Sequence, residues 1–507
     1  MSNYLLSIDL GTSACKVVIF NINGEVIVQT NGTYPVYYPK EGYVEQDPKE
    51  WWKAVCKAVK EAIEKGNISA SDIAGVGVDG QSWSAIAVDE QGEVLTNTPI
   101  WMDTRAKKIC DRINKEVGKE RIFHLSGNSL QPSYTTAKIL WYKENLPDVY
   151  KNTRTILQSN SFIVYQLTGK KTQEKSQGYG YHCYDMGKGR WDKDMAKEMG
   201  IDVNFLPEIY DCHDIVGKVR KEAAKLTGLK EGTPVVAGGL DAACGSLGVG
   251  VIEPGQTQEQ GGQAGGMSIC IDQYKSHEAL ILSHHVVPNL WLLQGGTVGG
   301  GGVMRWFENE FADYERKESK HLNKSSLEQL NDLAQEVPPG SDQLVFLPYM
   351  MGERSPIWDP NAKGVYYGLD FNKTKGHMVR ASMEGVALSL QNNLDIAKSL
   401  GIEVKELRAM GGAANSYLWT QIKSDVTGKK IKVPGSDTAT AMGAAILAGV
   451  GVGIYKDFKE ATNQLIEIKR EHNPNMENHK TYQKNYEIYL ELYDNLKGTM
   501  KKYGGRN

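Results

Sequence analysis

Tyr4-Leu5-Leu6-Ser7-Ile8-Asp9-Leu10-Gly11-Thr12-Ser13 decides how this chain is read. An apolar strand runs into an aspartate and then into a turn with one glycine and two hydroxyls. Glycine lets consecutive backbone N–H groups approach an oxyanion without side-chain obstruction. An aspartate in such a turn can hold Mg2+ or accept a hydroxyl proton. The pattern returns twice. Pro234-Val235-Val236-Ala237 leads into Gly238-Gly239-Leu240-Asp241-Ala242-Ala243, and Glu406-Leu407-Arg408-Ala409 leads into Met410-Gly411-Gly412-Ala413-Ala414-Asn415. One such turn is more often only a tight turn. Three of them, two with an aspartate, point to ATP-dependent phosphoryl transfer.

Bulk properties narrow the field. A chain of 507 residues is too long for one core, so two or more domains are expected. The division read from the pattern is 1–250 and 251–507. Net charge is −3 with both signs mixed. No basic block supports a nucleic-acid partner. Met1-Ser2-Asn3-Tyr4 has no basic leader and runs straight into a strand, so no signal peptide is expected. No uncharged apolar run is long enough to span a bilayer, so no membrane partner is expected. The 7 cysteines are odd in number, widely spaced and free of any CxxC pair, which reads as reduced thiols in a cytoplasmic protein.

Residues 4–29 read as a β-meander: strands over 4–9 and 15–20, a hairpin turn at Asn23-Gly24, and a strand over 25–29. Asp47-Pro48-Lys49-Glu50 opens a helix with Asp at the N-cap and Pro at the first helical position. Its expected apolar stripe is Trp52, Val55, Val59, Ala62 and Ile63. Strands follow over 73–79 and 84–89, so this half is α/β. The second half opens in the same way, with a hairpin over 256–260 and 267–272 around a glycine-rich turn. Strand-loop-helix units follow over 291–311. A long helix is expected over 374–400 and an Ala/Gly-dense, closely packing one over 437–448. The polar stretch 313–326 reads as a surface loop and helix start. Tyr482, Tyr486, Tyr489 and Tyr493 fall at helical spacing and read as a packing stripe. The expected fold class is α/β, a duplicated lobe with ligands in the cleft between the copies.

With those motifs in place, the chain resembles the FGGY carbohydrate kinases of the sugar kinase/Hsp70/actin superfamily. The match runs from Ile8 to about Tyr455. Its most specific segments are Gly352-Glu353-Arg354-Ser355-Pro356-Ile357-Trp358-Asp359-Pro360 and the run from Met410 through Trp419-Thr420-Gln421 and Asp425-Val426-Thr427-Gly428 to Pro434. Among subgroups it is most similar to the xylulose kinases, on Trp101-Met102-Asp103-Thr104-Arg105 and the tyrosine-rich C-terminal helix. The resemblance implies two actin/Hsp70-like (ribonuclease H-like) lobes, with ATP and Mg2+ as cofactors.

It also implies roles. Asp9 matches the aspartate near Mg2+ and the transferred phosphate, so it is the metal candidate. Gly11, Thr12 and Ser13 match the phosphate turn. Asp241 matches the general base, a role that makes chemical sense because a sugar hydroxyl is a poor nucleophile until a carboxylate takes its proton. The plain alternative for Asp241 is a helix N-cap on the Ala-rich segment after it. The second-lobe phosphate turn departs from the family's Gly-Thr-Ser-Gly: here it reads Gly261-Gly262-Gln263-Ala264-Gly265, so only Gly261 and Gly262 carry over. Gly301, Gly411, Gly412 and Asn415 are expected along the adenine and ribose, and Asn415 can both donate and accept.

The sugar site matches less well. Where xylulose kinases read Gly-Gln-Met-His-Gly, this chain has Gly80-Gln81-Ser82-Trp83-Ser84, and Ala242 stands where they carry Asn. Gln81, Trp83, Asp103 and Asp241 are the expected sugar contacts. Trp83 offers a flat apolar face for C–H groups, or is a core tryptophan. His284-His285 reads as structural, since neighbours on a strand point to opposite faces. The leading expectation is an ATP-dependent kinase of a small ketose, D-xylulose first. Another ketose, an alditol or a sugar acid such as gluconate follows. The competing class is a nucleotide-driven conformational switch that touches no sugar. A further reading is a sugar-binding protein without transfer activity, motivated by Gln263. The partners are then a small sugar or polyol and ATP, and a homodimer is among the assemblies left open.

Overall fold

The computed structural model describes residues 3–435 and 438–504. Asp437, expected to open a helix, lies outside the described residues. Two compact units are formed. The first comprises 1–252, 270–292 and 438–467; the second comprises 253–269, 293–437 and 468–507. The units therefore exchange segments and do not follow a single cut in the sequence.

The sheet of the first unit is ordered Ile215–Lys218, Pro234–Val236, Ile73–Gly80, Tyr4–Leu10, Ala14–Asn21, Val26–Thr33, with Gly239–Leu240 also paired to Ile73–Gly80. Tyr4–Leu10 is antiparallel to Ala14–Asn21 and parallel to Ile73–Gly80. The sheet of the second unit repeats the plan. Gln256–Gly261 is antiparallel to Gly265–Ile271 and parallel to Glu406–Met410, which is parallel to Lys430–Pro434. An opening hairpin beside parallel strands, twice, is the duplicated α/β lobe expected from the sequence.

Helix Pro48–Gly66 starts as its sequence dictates. The Asp47 carboxylate accepts from the Lys49 N–H at 2.9 Å, and Asn67 in the left-handed region ends it. Its buried face is Trp51, Ala54, Val55, Ala58, Val59 and Ala62. Trp52 and Ile63 are only partly buried. The stripe is thus turned by about one residue from the expected one, because both adjacent tryptophans fit the spacing and packing chose Trp51. Each Val or Ile buried in this core adds about 1.5–3 kcal/mol.

Helix Ala439–Gly451 belongs to the first unit and lies against helix Asp241–Gly248. A β-carbon at Gly443 would stand 1.9 Å from the Cys244 carbonyl oxygen, and one at Gly248 would stand 1.7 Å from that of Ala439. The two backbones touch, which holds the start of Asp241–Gly248 in place. In the second unit, Lys375–Ser399 is one long helix, and Met476–Tyr503 buries Tyr482, Tyr486 and Tyr489. The stretch expected as a surface loop and helix start forms a helix, Asp313–Leu322, and a second helix does start at its end, Ser326–Gln335, with a Ser325/Glu328 capping box. Acidic residues in its first turn and Lys320 and His321 in its last complement the helix dipole. Among the described residues, no helix is long and apolar enough to cross a membrane.

Candidate active site

Asp9 sits one residue before the end of its strand. Across the parallel pair it is in register with Asp79, and Gly239 is in register with Asp79 on the other side. Two residues on, Asp241 begins its helix. Three aspartates from three strand ends therefore gather at one edge of the sheet. Asp79 was not singled out from the sequence. A lone aspartate after Val76-Gly77-Val78 reads as the end of a strand; the signal was its likeness to Asp9, an apolar run closing on Asp and then Gly.

Burial and like charge set their protonation. Burial, then the Asp9 charge, pushes the Asp241 carboxyl up to about 7, against the Ala242 N–H that donates to it at 2.6 Å. Asp79 is fully buried, and among the described residues its carboxyl meets only the Asp9 carboxyl within hydrogen-bond range. Burial, then Asp9 and Asp241, drives it well above the carboxylate range. Burial also raises Asp9, with Lys16 opposing. Near neutral pH Asp241 is poised between its two forms, and burial beside two further carboxyls favours the protonated form of Asp79.

The backbone beneath them is tightly fitted. The helix cap is Leu240, not Asp241, so the carboxylate is not spent as an N-cap. The Ser176 hydroxyl accepts from the Leu240 N–H at 2.9 Å. Gly238 has a φ of +83°, and a β-carbon there would lie 2.0 Å from the Val78 carbonyl oxygen. The first turn is closed by Gly11 N–H donating to Ala14 O at 3.1 Å. Thr12 Oγ1 accepts from the Trp101 indole at 3.0 Å, and Ser13 is exposed.

Gln81 follows directly. Its amide donates to Gln46 at 2.9 Å, and Gln46 donates to the Thr12 carbonyl at 2.8 Å, so Gln81 braces the turn that holds Thr12. Its side-chain oxygen is buried and unpartnered. Trp83 has a φ of +61°. One face of its ring stacks on Tyr134 at 4.2 Å, with Tyr179 at 5.6 Å. Its indole N–H is buried without a partner. His182 packs edge-on to Tyr134, with both ring nitrogens unpartnered. Tyr134, Tyr179 and His182 were not found from sequence, being scattered through segments without a motif.

Asp103 does not join this group. It is fully buried, accepts from the Val44 N–H at 2.7 Å, and is gripped by the Arg105 guanidinium at 2.7–2.9 Å. Arg105 also pairs with Glu45 at 2.7 Å. The Asp103 carboxylate oxygens are thus engaged within the loop.

The second unit holds a cavity of about 510 Å3, within the usual range for a small-ligand site. Gly261, Gly262, Gly301, Gly412 and Asn415 line it, over an apolar floor that includes Met304, Met383 and Trp419. Gly411 stands just beneath, where a β-carbon would lie 2.9 Å from the Gly261 carbonyl oxygen. Gly301 N–H donates to Gly262 O at 2.7 Å, and Gly302 N–H to Gln263 O at 2.9 Å, locking the two glycine segments together. Among the described residues, no group of three or more His, Cys, Asp or Glu could hold a metal ion alone. His284 and His285 make separate contacts: His284 packs on Tyr184 and Trp291, and the His285 ring bonds the Val251 carbonyl.

Comparison with known proteins fits this arrangement. The model of the FGGY family of carbohydrate kinases matches with its N-terminal domain over residues 4–248 and its C-terminal domain over 272–452. This chain belongs to that family. It is an ATP-dependent carbohydrate kinase with the two-lobed actin/Hsp70-like fold. A xylulose kinase of Bacillus subtilis (strain 168) is 30% identical over 497 residues, covering 97% of each chain. A gluconokinase of the same organism is 29% identical, covering 97% of this chain and 96% of its own. The crystal structure of ligand-bound xylulose kinase from Lactobacillus acidophilus superposes with a TM-score of 0.90 at 26% identity, covering 99% of both chains.

Proposed function

We propose that this kinase transfers the γ-phosphoryl group of ATP to D-xylulose, giving D-xylulose 5-phosphate, with Asp241 as general base. The observation that carries the reading is Asp241 itself: a carboxyl at a strand-to-helix turn, pushed up to about 7 beside Asp9. A base is most effective when its pKa lies near the working pH. Asp241 takes the proton of the attacking hydroxyl as the O–P bond forms. Gln81, braced against the phosphate turn, offers its free amide oxygen to another hydroxyl, and the exposed edge of Trp83 packs on C–H groups. Gly11, Thr12 and Ser13 receive phosphate oxygens. Gly261, Gly262, Gly301, Gly411, Gly412 and Asn415 receive the nucleoside. In linear terms the sugar side is the N-terminal lobe, 1–250, and the nucleotide side the C-terminal lobe, 251–507.

Mg2+ fits as an ion carried on the nucleotide, since Mg2+ takes one or two carboxylates plus phosphate oxygens and water. Asp9 is its protein ligand in this reading. Bound Mg2+ neutralises charge on the transferred phosphate. Seven cysteines outside any disulfide support action in the cytoplasm. A sugar acid such as gluconate is the second reading, supported by the gluconokinase relative, while Trp83 and Ala242 remove two polar contacts that would single out D-xylulose. A coupled ADP-release screen over pentuloses, hexuloses, alditols and aldonates tests the choice. The highest kcat/KM on D-xylulose supports the first reading; a clear maximum on an aldonate replaces it with the second.

A further inference from the structure

A second cavity, of about 110 Å3, opens within the first unit, bordered by Lys175, Gly189, Asp211, Cys212, His284 and Trp291. None of these is a proposed catalytic group. That volume accommodates a few waters or one tetrahedral oxyanion. Two buried polar atoms are unpartnered here: Nε2 of His284, which borders the cavity, and the Tyr184 hydroxyl, which lies beside Gly189 in its wall. They converge on Gly189: a β-carbon there would lie 3.5 Å from Tyr184 Oη, 3.5 Å from Lys175 Cε and 3.7 Å from His284 Nε2. Buried hydroxyls and imidazoles are rarely left without partners. Lys175 pairs with Asp211 at 2.6 Å, and Lys188, which also borders the cavity, with Asp185 at 2.9 Å; all but Asp185 are at least a third exposed, so this wall is open to water. Burial, then the Lys175 charge, holds the His284 ring down at about 4, so it is neutral and can meet a P–OH group.

The cavity wall is tied to the turn before Asp241. The Cys212 carbonyl accepts from the Gly238 N–H at 3.0 Å. Cys212 Sγ and the Ser176 hydroxyl both donate to Glu174 Oε2, at 3.3 Å and 2.5 Å, and that same hydroxyl holds Leu240 N–H. Lys175 lies between Glu174 and Ser176 in the chain.

We propose that this cavity is a regulatory site for a phosphate group, held by the Lys175 ammonium, the Tyr184 hydroxyl and the His284 ring, and that its occupancy is felt through Glu174, Ser176 and Cys212 at the Gly238–Asp241 turn. A phosphate there takes Lys175 from Asp211 and so pulls on the segment that positions Leu240. The group can be free phosphate or the phosphoryl end of a sugar phosphate. The kinetic half rests on Asp241 being the base; the binding half does not.

The test is calorimetric titration of inorganic phosphate into the full-length enzyme and into Tyr184→Phe and Lys175→Gln. Tyr184→Phe removes a hydroxyl that bonds nothing, and Lys175 is partly exposed, so both variants should keep KM for ATP and sugar within about twofold in phosphate-free buffer. Saturable binding by the wild type, weakened tenfold or more in each variant, supports the site. D-xylulose 5-phosphate is titrated in parallel. Displacement of phosphate by the ester assigns the ester, and phosphate binding alone assigns the free anion; both support the site. Absence of saturable binding, or binding unchanged in both variants, overturns it. In turnover assays at saturating ATP and sugar, phosphate should change kcat of the wild type and leave the variants unaffected. Binding without any change in kcat overturns the link to the Gly238–Asp241 turn.

Discussion

Asp241→Asn separates catalysis from stability in opposite directions. The side chain keeps its size, and its oxygen still accepts from Ala242 N–H, but the proton acceptor is gone. Removal of a general base costs about 10^2–10^4 in rate, so kcat should fall by that factor while KM for ATP stays within a few-fold. Stability should move the other way. The folded carboxyl sits at about 7 against an ordinary value of 3.8. A raised pKa means the native state binds the proton more tightly than the unfolded chain. The wild type therefore has its full stability below pH 3.8 and loses it as pH rises through about 7. The loss has a ceiling of about 4 kcal/mol, and sharing of the proton with Asp9 and Asp79 makes the observed figure smaller. The neutral amide avoids this loss. Urea unfolding of ligand-free protein should show the variant equal to wild type near pH 4 and more stable at pH 8, a stability–activity exchange common at active sites. In the wild type, kcat/KM should rise with pH and level off above about 7, because only the ionised base is competent. A folded variant within tenfold of wild-type kcat, or one with no stability gain at pH 8, would refute the reasoning.

Gly238→Ala should cost at least about 1–3 kcal/mol from backbone strain alone, since its φ is +83° and the added methyl meets the Val78 carbonyl; urea unfolding measures it, and a neutral result means the turn is not held as described. Asn415→Ala should raise KM for ATP about two- to tenfold, the worth of one hydrogen bond, with kcat nearly unchanged in steady-state kinetics. Trp83→His with Ala242→Asn should raise kcat/KM for D-xylulose relative to other substrates by a few-fold to a hundredfold, and an unchanged preference in the substrate screen removes both positions from the sugar pocket.

Much of the fold was legible because its signals are local. The hairpin turn at Asn23-Gly24, the Asp47-Pro48 helix start and the glycine-rich turns each carry their own reason within a few residues. What escaped depends on distant contacts. Helix Ala439–Gly451 returns to the first unit, and only the backbone contact at Gly443 and Gly248 reveals it. Asp79 acquires meaning only once parallel pairing sets it beside Asp9. The grip of Arg105 on Asp103, two residues back, likewise had no signal in the sequence. Trp51 and Trp52 were equivalent by spacing, and the core decided between them.

Phosphorus NMR of the enzyme with ATP, Mg2+ and D-xylulose tests the central claim most directly. Transfer to the terminal hydroxyl gives a new phosphate monoester signal split by the two C5 protons, appearing at the rate ADP forms and absent without the sugar. ADP formed together with inorganic phosphate alone, at a rate indifferent to D-xylulose and to every other sugar, alditol and aldonate in the screen, would contradict it.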